Sequence, residues 1–131
     1  MIGLDANILV RYLAQDDPVQ SPMATDIMEF RLTEDNPGFI GVVAMVETVW
    51  VLDRAYGLAD REIAAAIERM LQADTLVIEN EQQVFTATMA LKGGSGSFAD
   101  ALMGALGDRA GCAYTLTFDK ASLQLPGFEL P

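Results

Sequence analysis

The sequence predicts an α/β fold in which helices cover both faces of a central parallel sheet, a three-layer α/β/α arrangement. Short apolar runs that suit buried strands alternate along the chain with longer segments of helical periodicity, the pattern of a parallel sheet with crossover helices. Hydrophobic residues make up 51% of the 131 residues, enough to bury a core. This length, without an evident repeat or linker, predicts a single domain over residues 1–131.

The predicted strands are short apolar runs bounded by turn residues or by an acid. They cover residues 2–4, 39–43, 76–78 and 112–117. The first strand ends at Asp5, and the turn Asn36-Pro37-Gly38 precedes the second. The second strand is joined directly to the helix that follows it.

The predicted helices show apolar residues at helical spacing together with start signals. They cover residues 6–13, 18–34, 43–56, 60–73, 81–91 and 98–109. Pro18 suits the first turn of a helix, and Asp60 and Ser97 suit N-caps. The fourth of these helices has one apolar face, which consists of Ile63, Ala66, Ile67, Met70 and Leu71.

The residue types present limit the chemistry that the chain can carry. It contains no histidine, which excludes Ser-His-Asp and Cys-His nucleophile systems and His-ligated zinc hydrolases. Its one cysteine, Cys112, excludes an internal disulfide and is expected to be a small buried hydrophobic residue. Acid–base or metal chemistry must therefore depend on carboxylates.

The charge balance is strongly acidic, with 19 Asp and Glu against 8 Lys and Arg and a formal net charge of −11. It argues against nucleic-acid binding through a broad basic face, but it allows a divalent-cation site and suits a basic protein partner. The longest apolar stretch, residues 37–52, is interrupted by Glu47 and is too short to span a membrane. We expect no signal peptide, no membrane association and a cytoplasmic location.

Acids near the ends of predicted strands are the first candidate site residues, because ligands of open α/β sheets bind beyond the carboxyl ends of the strands. Asp5 follows the first strand, where it could equally be the N-cap of the next helix. Glu47 lies on the third predicted helix among apolar sequence neighbours, which include the expected core residues Met45 and Trp50. A buried lone carboxylate needs a partner or a metal ion, and Arg54 is too far along the helix for a direct ion pair. A ligand role is therefore favoured for Glu47.

Two further acids complete the candidate set. Asp100 is the third residue of a helix capped by Ser97, where a carboxylate can bond back to the cap and interact with the helix dipole. Asp119 follows the last predicted strand, where a turn residue is the simple structural alternative. The Gly/Ser-rich loop over residues 93–97 is not a phosphate-binding loop, because no Gly-Lys-Ser/Thr follows it. A doubly wound sheet can bring all four acids to one edge.

These residues together resemble a PIN-domain ribonuclease, and more narrowly the VapC-type toxin of bacterial toxin–antitoxin pairs. The matching segments, in the family's order, are Asp5-Ala6-Asn7-Ile8-Leu9-Val10-Arg11-Tyr12-Leu13, Val46-Glu47, Phe98-Ala99-Asp100-Ala101-Leu102 and Thr117-Phe118-Asp119. They extend over essentially the whole chain. The first segment is the most specific, although Ala6 stands where the family usually has Thr or Ser.

The resemblance implies a PIN-like fold and a toxin that hydrolyses RNA phosphodiester bonds with Mg²⁺ or Mn²⁺. It implies Asp5 and Asp100 as central metal ligands, with Glu47 and Asp119 completing the site directly or through water. Carboxylate-rich, all-oxygen sites suit these ions, which would activate a water for attack on the phosphodiester.

Supporting residues and partners also follow from the resemblance. Asn7 and Thr117 are candidate hydrogen-bond donors to the ligands, and Arg11 or Lys120 could contact substrate phosphate. A cognate antitoxin protein that occupies the active site is expected, as is a homodimer. Because the chain is acidic, it must bind RNA locally, through the metal and a few cations.

Other functions stay open at this point. A PIN fold could act as a non-catalytic interaction module, although all four acids are present. A receiver domain needs an acidic pair after its first strand and a phospho-acceptor Asp after a middle one, whereas Asp5 stands alone and Glu79-Asn80 follows the middle strand. An aspartyl-phosphate phosphatase would need a second Asp where Asn7 stands.

Overall fold

The structure is a computed structural model that describes residues 1–131, and they form two compact units. The first unit is Met1–Asn80 and the second is Glu81–Pro131. The single-domain expectation stays a prediction. None of the helices combines the length and the apolar character needed to cross a membrane.

A three-stranded parallel sheet organises the first unit. Its strands lie in the order β1 (Ile2–Gly3), β2 (Gly38–Ile40) and β3 (Leu76–Ile78). In the register of the sheet, Gly38 lies opposite both Ile2 and Leu76. Gly38 is buried so tightly that an added Cβ would lie 2.7 Å from Cδ1 of Leu4 and 2.8 Å from Cδ1 of Leu32. A larger residue at this point of the middle strand would require the side chains of Leu4 and Leu32 to move.

Helices connect these strands, as parallel pairing requires. They are α1 (Ala6–Ala14), α2 (Gln20–Asp26), α3 (Val42–Arg54) and α4 (Asp60–Gln72), and a π-helical turn, Ile27–Arg31, continues α2. The predicted apolar face of α4 is confirmed at Ile63, Ala66, Ile67 and Met70, which are buried. Asp60 is the first residue of α4 and not its cap, because Ala59 occupies the cap position.

Two helices and a small parallel sheet form the second unit. Helices α5 (Glu81–Gly93) and α6 (Phe98–Ala110) pack against each other, and β4 (Thr115–Leu116) pairs in parallel with β5 (Phe128–Glu129). A 3₁₀-helix, Lys120–Gln124, connects the two strands. The largest buried side chains are those of Leu91, Phe98, Leu102, Leu125 and Phe128. The sequence patterns did not predict β5 or the 3₁₀-helix.

Two hydrophobic side chains predicted to be buried are exposed. Trp50 is 60% exposed, because it lies on the face of α3 opposite the buried Met45, Val49 and Leu52. Cys112 is exposed because it follows Gly111, the residue that ends α6, and lies in the loop before β4. The core predictions were therefore wrong for Trp50 and Cys112, and correct for Met45.

Candidate active site

A buried serine brings Asp100 and Asp119 together in the second unit. Asp100 lies in the first turn of α6, and Asp119 directly precedes the 3₁₀-helix that contains Ser122. The Ser122 hydroxyl oxygen is 3.2 Å from Oδ2 of Asp100 and 3.4 Å from Oδ2 of Asp119. Both carboxylates therefore turn one oxygen toward the same hydroxyl.

The start of α6 fixes the position of Asp100. Ser97 is the N-cap of this helix, as predicted, and the backbone N–H of Asp100 donates to its hydroxyl at 3.1 Å. The predicted bond from the Asp100 carboxylate back to the cap does not form, and its Oδ2 atom instead contacts the Ser122 hydroxyl. The helix start therefore orients Asp100 without using its side chain.

Asp119 divides its two carboxylate oxygens between two tasks. Oδ1 accepts from the backbone N–H of Ala121 at 2.9 Å and so caps the 3₁₀-helix, while Oδ2 faces Ser122. Its own backbone N–H donates to the Thr117 hydroxyl at 3.0 Å. Asp119 can therefore be a turn residue through Oδ1 and still have a second role through Oδ2.

Asp5 occupies the junction between β1 and α1 in the first unit. It is the N-cap of α1, and its Oδ1 accepts from the backbone N–H of Asn7 at 3.4 Å, a long contact that marks a weak cap. The carboxylate is exposed and forms no other hydrogen bond. Asn7 is also exposed, and its side chain forms no hydrogen bond with Asp5.

Glu47 lies on the exposed face of α3, and the prediction that it is buried was wrong. Its neighbours Val43 and Trp50 are apolar but 81% and 60% exposed, so apolar sequence neighbours did not imply burial. Glu47 forms no ion pair, and Arg54 instead approaches Asp53 at 3.7 Å. The ligand role of Glu47 therefore depends on the family resemblance and not on a burial cost.

The donor set at the candidate site suits a hard divalent ion. Within neither unit do three or more His, Cys, Asp or Glu side chains form a cluster that could hold a metal by themselves. The second unit offers two carboxylates beside one hydroxyl, all oxygen donors. Oxygen ligands fit Mg²⁺ and Mn²⁺, whereas zinc sites favour nitrogen and sulfur.

A polar network that the sequence analysis missed engages Arg11. Its Nη1 lies 3.3 Å from Oδ1 of Asp16 and donates to the Tyr56 hydroxyl at 3.1 Å, while Nε donates to Gln20 Oε1 at 2.9 Å. Tyr56 in turn donates to Oδ2 of Asp16 at 2.7 Å. An acid five residues after Arg11 was a visible signal for part of this network, but nothing in the sequence indicated Tyr56.

The same network shifts two pKa values in opposite directions. The hydrogen bond from Tyr56 holds the pKa of Asp16 below its ordinary value, and the nearby Arg11 charge acts in the same sense. That bond to Asp16 also raises the pKa of the Tyr56 phenol, because the carboxylate stabilises its proton. The guanidinium of Arg11 is thus already bound to other side chains of the protein. Lys120, in contrast, is exposed and forms no ion pair.

A cavity in the second unit is separate from the candidate acids. It has a volume of about 330 Å³ and is lined by residues of α5, α6 and β5, among them Thr86, Ala101, Gly104 and Phe128. None of the predicted site residues lines it. We therefore assign it no part in the site.

Parallel strands joined by helices define an α/β protein, and the chain contains no histidine. The family model of the PIN domain matches residues 2–127. The chain therefore belongs to the PIN domain family, and the predicted PIN-like α/β/α fold class is confirmed. PIN domains are typically nucleases and generally use divalent metals. No curated protein gives a significant match to the chain.

Proposed function

We propose that this PIN domain is a metal-dependent endoribonuclease and the toxin of a toxin–antitoxin pair. In this proposal Asp5, Glu47, Asp100 and Asp119 hold Mg²⁺ or Mn²⁺, as the family resemblance implies. The observation that supports this proposal most is the arrangement of Asp100 and Asp119, whose Oδ2 atoms both face the Ser122 hydroxyl. Two carboxylates that face each other favour a divalent cation, which offsets their repulsion.

The residues around the two acids hold them in position before substrate binds. Ser97 and Thr117 accept from the backbone N–H groups of Asp100 and Asp119, so the carboxylates belong to rigid starts of helices. A bound Mg²⁺ or Mn²⁺ would supply an activated water and would offset the charge that develops on the phosphate.

Of the two cations proposed to contact substrate phosphate, Lys120 is the better candidate. It is exposed and next to Asp119, whereas Arg11 is bonded to Asp16, Tyr56 and Gln20. With a net charge of −11, the chain offers few such contacts. We therefore infer that RNA binds through local contacts, with little help from non-specific attraction.

The partners proposed are an RNA substrate, a cognate antitoxin and a second copy of the chain, all in the cytoplasm. An acidic chain with free carboxylates suits an antitoxin segment that carries Arg or Lys. The exposed apolar side chains of Val43 and Trp50, on either side of Glu47, support contact with a protein partner.

Metal removal tests the proposed activity directly. Cleavage of single-stranded or structured RNA by the purified chain should be lost in EDTA and restored by Mn²⁺. Asp100→Asn and Asp119→Asn should lower the rate at least about 100-fold, since each removes charge that holds the ion. Asp108→Asn is the matched control, because Asp108 is an exposed acid on the same helix and should leave the rate unchanged. Undiminished cleavage in EDTA, or in the two site variants, would contradict the proposal.

A further inference from the structure

Ser122 differs from the other buried hydroxyl residues in the groups that it contacts. The chain has four buried polar side chains, those of Ser21, Thr48, Thr88 and Ser122. The hydroxyls of Ser21, Thr48 and Thr88 each donate to a backbone carbonyl oxygen. Ser122 is 3% exposed, and its hydroxyl instead faces two carboxylates, one of them 22 residues away in sequence.

One hydroxyl cannot satisfy both carboxylates at the same time. A serine hydroxyl has a single proton, so it donates to Asp100 or to Asp119 but not to both. The contacts of 3.2 and 3.4 Å are nearly equal, and both are longer than the usual O–H···O distance of about 2.7–2.8 Å. Ser122 therefore lies between the two oxygens and is not bound tightly to either one.

This position gives Ser122 control over the spacing of the pair. The Ser122 side chain is buried, and its hydroxyl forms its hydrogen bonds with the two carboxylates. Asp119 and Ser122 lie on one short 3₁₀-helix, while Asp100 belongs to α6. The hydroxyl thus connects the two elements that supply the acids.

We propose that Ser122 is a positioning residue for the metal site. Its hydroxyl holds Asp100 and Asp119 so that both Oδ2 atoms are presented to one divalent ion. The inference rests on the proposed function, because a metal-dependent activity requires this pair to bind the ion. Ser122 acts through the two carboxylates and does not itself contact substrate.

The test is the affinity for Mn²⁺, measured from the electron paramagnetic resonance signal of free Mn²⁺ in a titration of the full chain. Ser122→Ala should weaken binding about 10–100-fold, the usual effect of removing a group that orients metal ligands. RNA cleavage should fall in the same proportion at limiting Mn²⁺ and recover at saturating Mn²⁺. A residue that only stabilises the fold would leave the Mn²⁺ affinity of the folded chain unchanged.

Ser21→Ala is the matched control. Ser21 is 2% exposed, and its hydroxyl donates to the carbonyl oxygen of Arg11 and accepts from the backbone N–H of Asp17. This variant therefore loses two hydrogen bonds of a buried hydroxyl without changing Asp100 or Asp119. Its affinity for Mn²⁺ should equal that of the wild type. Should Ser122→Ala fail to fold, Ser122→Cys fills similar space with a weak donor and should show the same loss.

The possible results separate the two proposals. If the wild type binds Mn²⁺ and the Ser122 variant binds it no more weakly than Ser21→Ala does, the positioning role is overturned and the proposed function stands. A wild-type chain that neither binds Mn²⁺ nor cleaves RNA overturns the proposed function, and the positioning role with it.

Discussion

Neutralising Asp100 or Asp119 in the metal-free chain is expected to relieve a repulsion between them. Asn is the informative replacement, because it keeps an acceptor oxygen for Ser122 and remains a good cap for the 3₁₀-helix at residue 119. Asp100→Asn, Asp119→Asn and the double variant form a double-mutant cycle. The cycle isolates the interaction of the two charges from the other effects of each substitution.

The geometry sets the size of this repulsion. The two contacts with Ser122 limit the separation of the Oδ2 atoms to about 6.6 Å. Two unit charges at this distance repel by about 2.5 kcal/mol at an effective dielectric of ~20 and by about 0.6 kcal/mol at ~80. Asp119 is exposed and Asp100 is half-buried, so solvent screening places the expected coupling at about 0.6–1.5 kcal/mol.

Urea unfolding in EDTA at neutral pH and low salt measures the coupling. Either single variant removes the whole repulsion, and the double variant removes nothing more. The changes in the free energy of unfolding of the two single variants should therefore sum to a larger stabilisation than that of the double variant. Asp100→Asn also loses about 0.3–1 kcal/mol of interaction with the dipole of α6, and this loss cancels in the cycle. High salt should reduce the coupling. Saturation with Mn²⁺ at 100 times its Kd should stabilise the wild type by about 2.7 kcal/mol and the variants less.

A control pair gives the coupling energy expected for two acids that lie far apart. Asp108 lies eight residues after Asp100 on α6, which is about 12 Å along the helix axis. Asp100→Asn combined with Asp108→Asn should therefore show almost no coupling. If Asp100 and Asp119 couple no more strongly than this control pair at low salt, the two carboxylates do not face each other and the reasoning fails.

Two further predictions concern the packing and the pH dependence of the chain. Gly104→Ala should lower the free energy of unfolding by about 1–3 kcal/mol, because its Cβ would lie 2.7 Å from Cε2 of the buried Phe128. Gly93→Ala, whose Cβ would have no neighbour closer than 3.8 Å, should cost nothing, and equal stability of the two variants in urea would contradict the prediction. Tyr56→Phe should lower the free energy of unfolding at pH 7, and this loss of stability should shrink as the pH falls below about 4. The hydrogen bond from Tyr56 lowers the pKa of Asp16 in the folded chain. The stability that this bond contributes is therefore complete above the ordinary carboxyl pKa and is lost as the pH falls through the lowered pKa of Asp16. A deficit that is constant from pH 7 to pH 3 would show that the bond does not stabilise the ionised Asp16.

Local sequence signals predicted most of the elements of the fold. Periodicity located the helices to within a few residues, and the Ser97 cap fixed the start of α6. These signals act within one helical turn, which is why they can be recognised in the sequence. Strand β5 has only two residues, too few to show any period. The 3₁₀-helix before it has only five residues, and neither element was predicted.

The exposed face of α3 could not be predicted from its sequence. This helix is apolar on nearly all sides, and only tertiary packing decides that Met45 and Leu52 are covered while Val43 and Trp50 are not. Glu47 was wrongly predicted to be buried for the same reason. A hydrophobic segment indicates the buried side of a helix only where a polar side is present for contrast.

At the candidate site, the sequence predicted the acids but not the group between them. Asp100 and Asp119 were found from their places next to a helix start and a strand end. Ser122 gave no local signal, because its partner Asp100 lies 22 residues earlier in the chain. Contacts between residues so far apart depend on how α6 and the 3₁₀-helix pack, which sequence patterns do not encode.

Helix capping and metal binding make compatible demands on these acids. At Asp119 the cap uses Oδ1 and leaves Oδ2 facing Ser122, and at Asp5 the weak cap uses Oδ1 alone. At Asp100 the cap is made by Ser97, which leaves both carboxylate oxygens outside the helix start. The positive end of a helix dipole stabilises a carboxylate there in the absence of any cation. A position that orients an acid and leaves one oxygen outside the cap meets the geometric requirements of a metal ligand, so the structural roles of these residues support the proposed function.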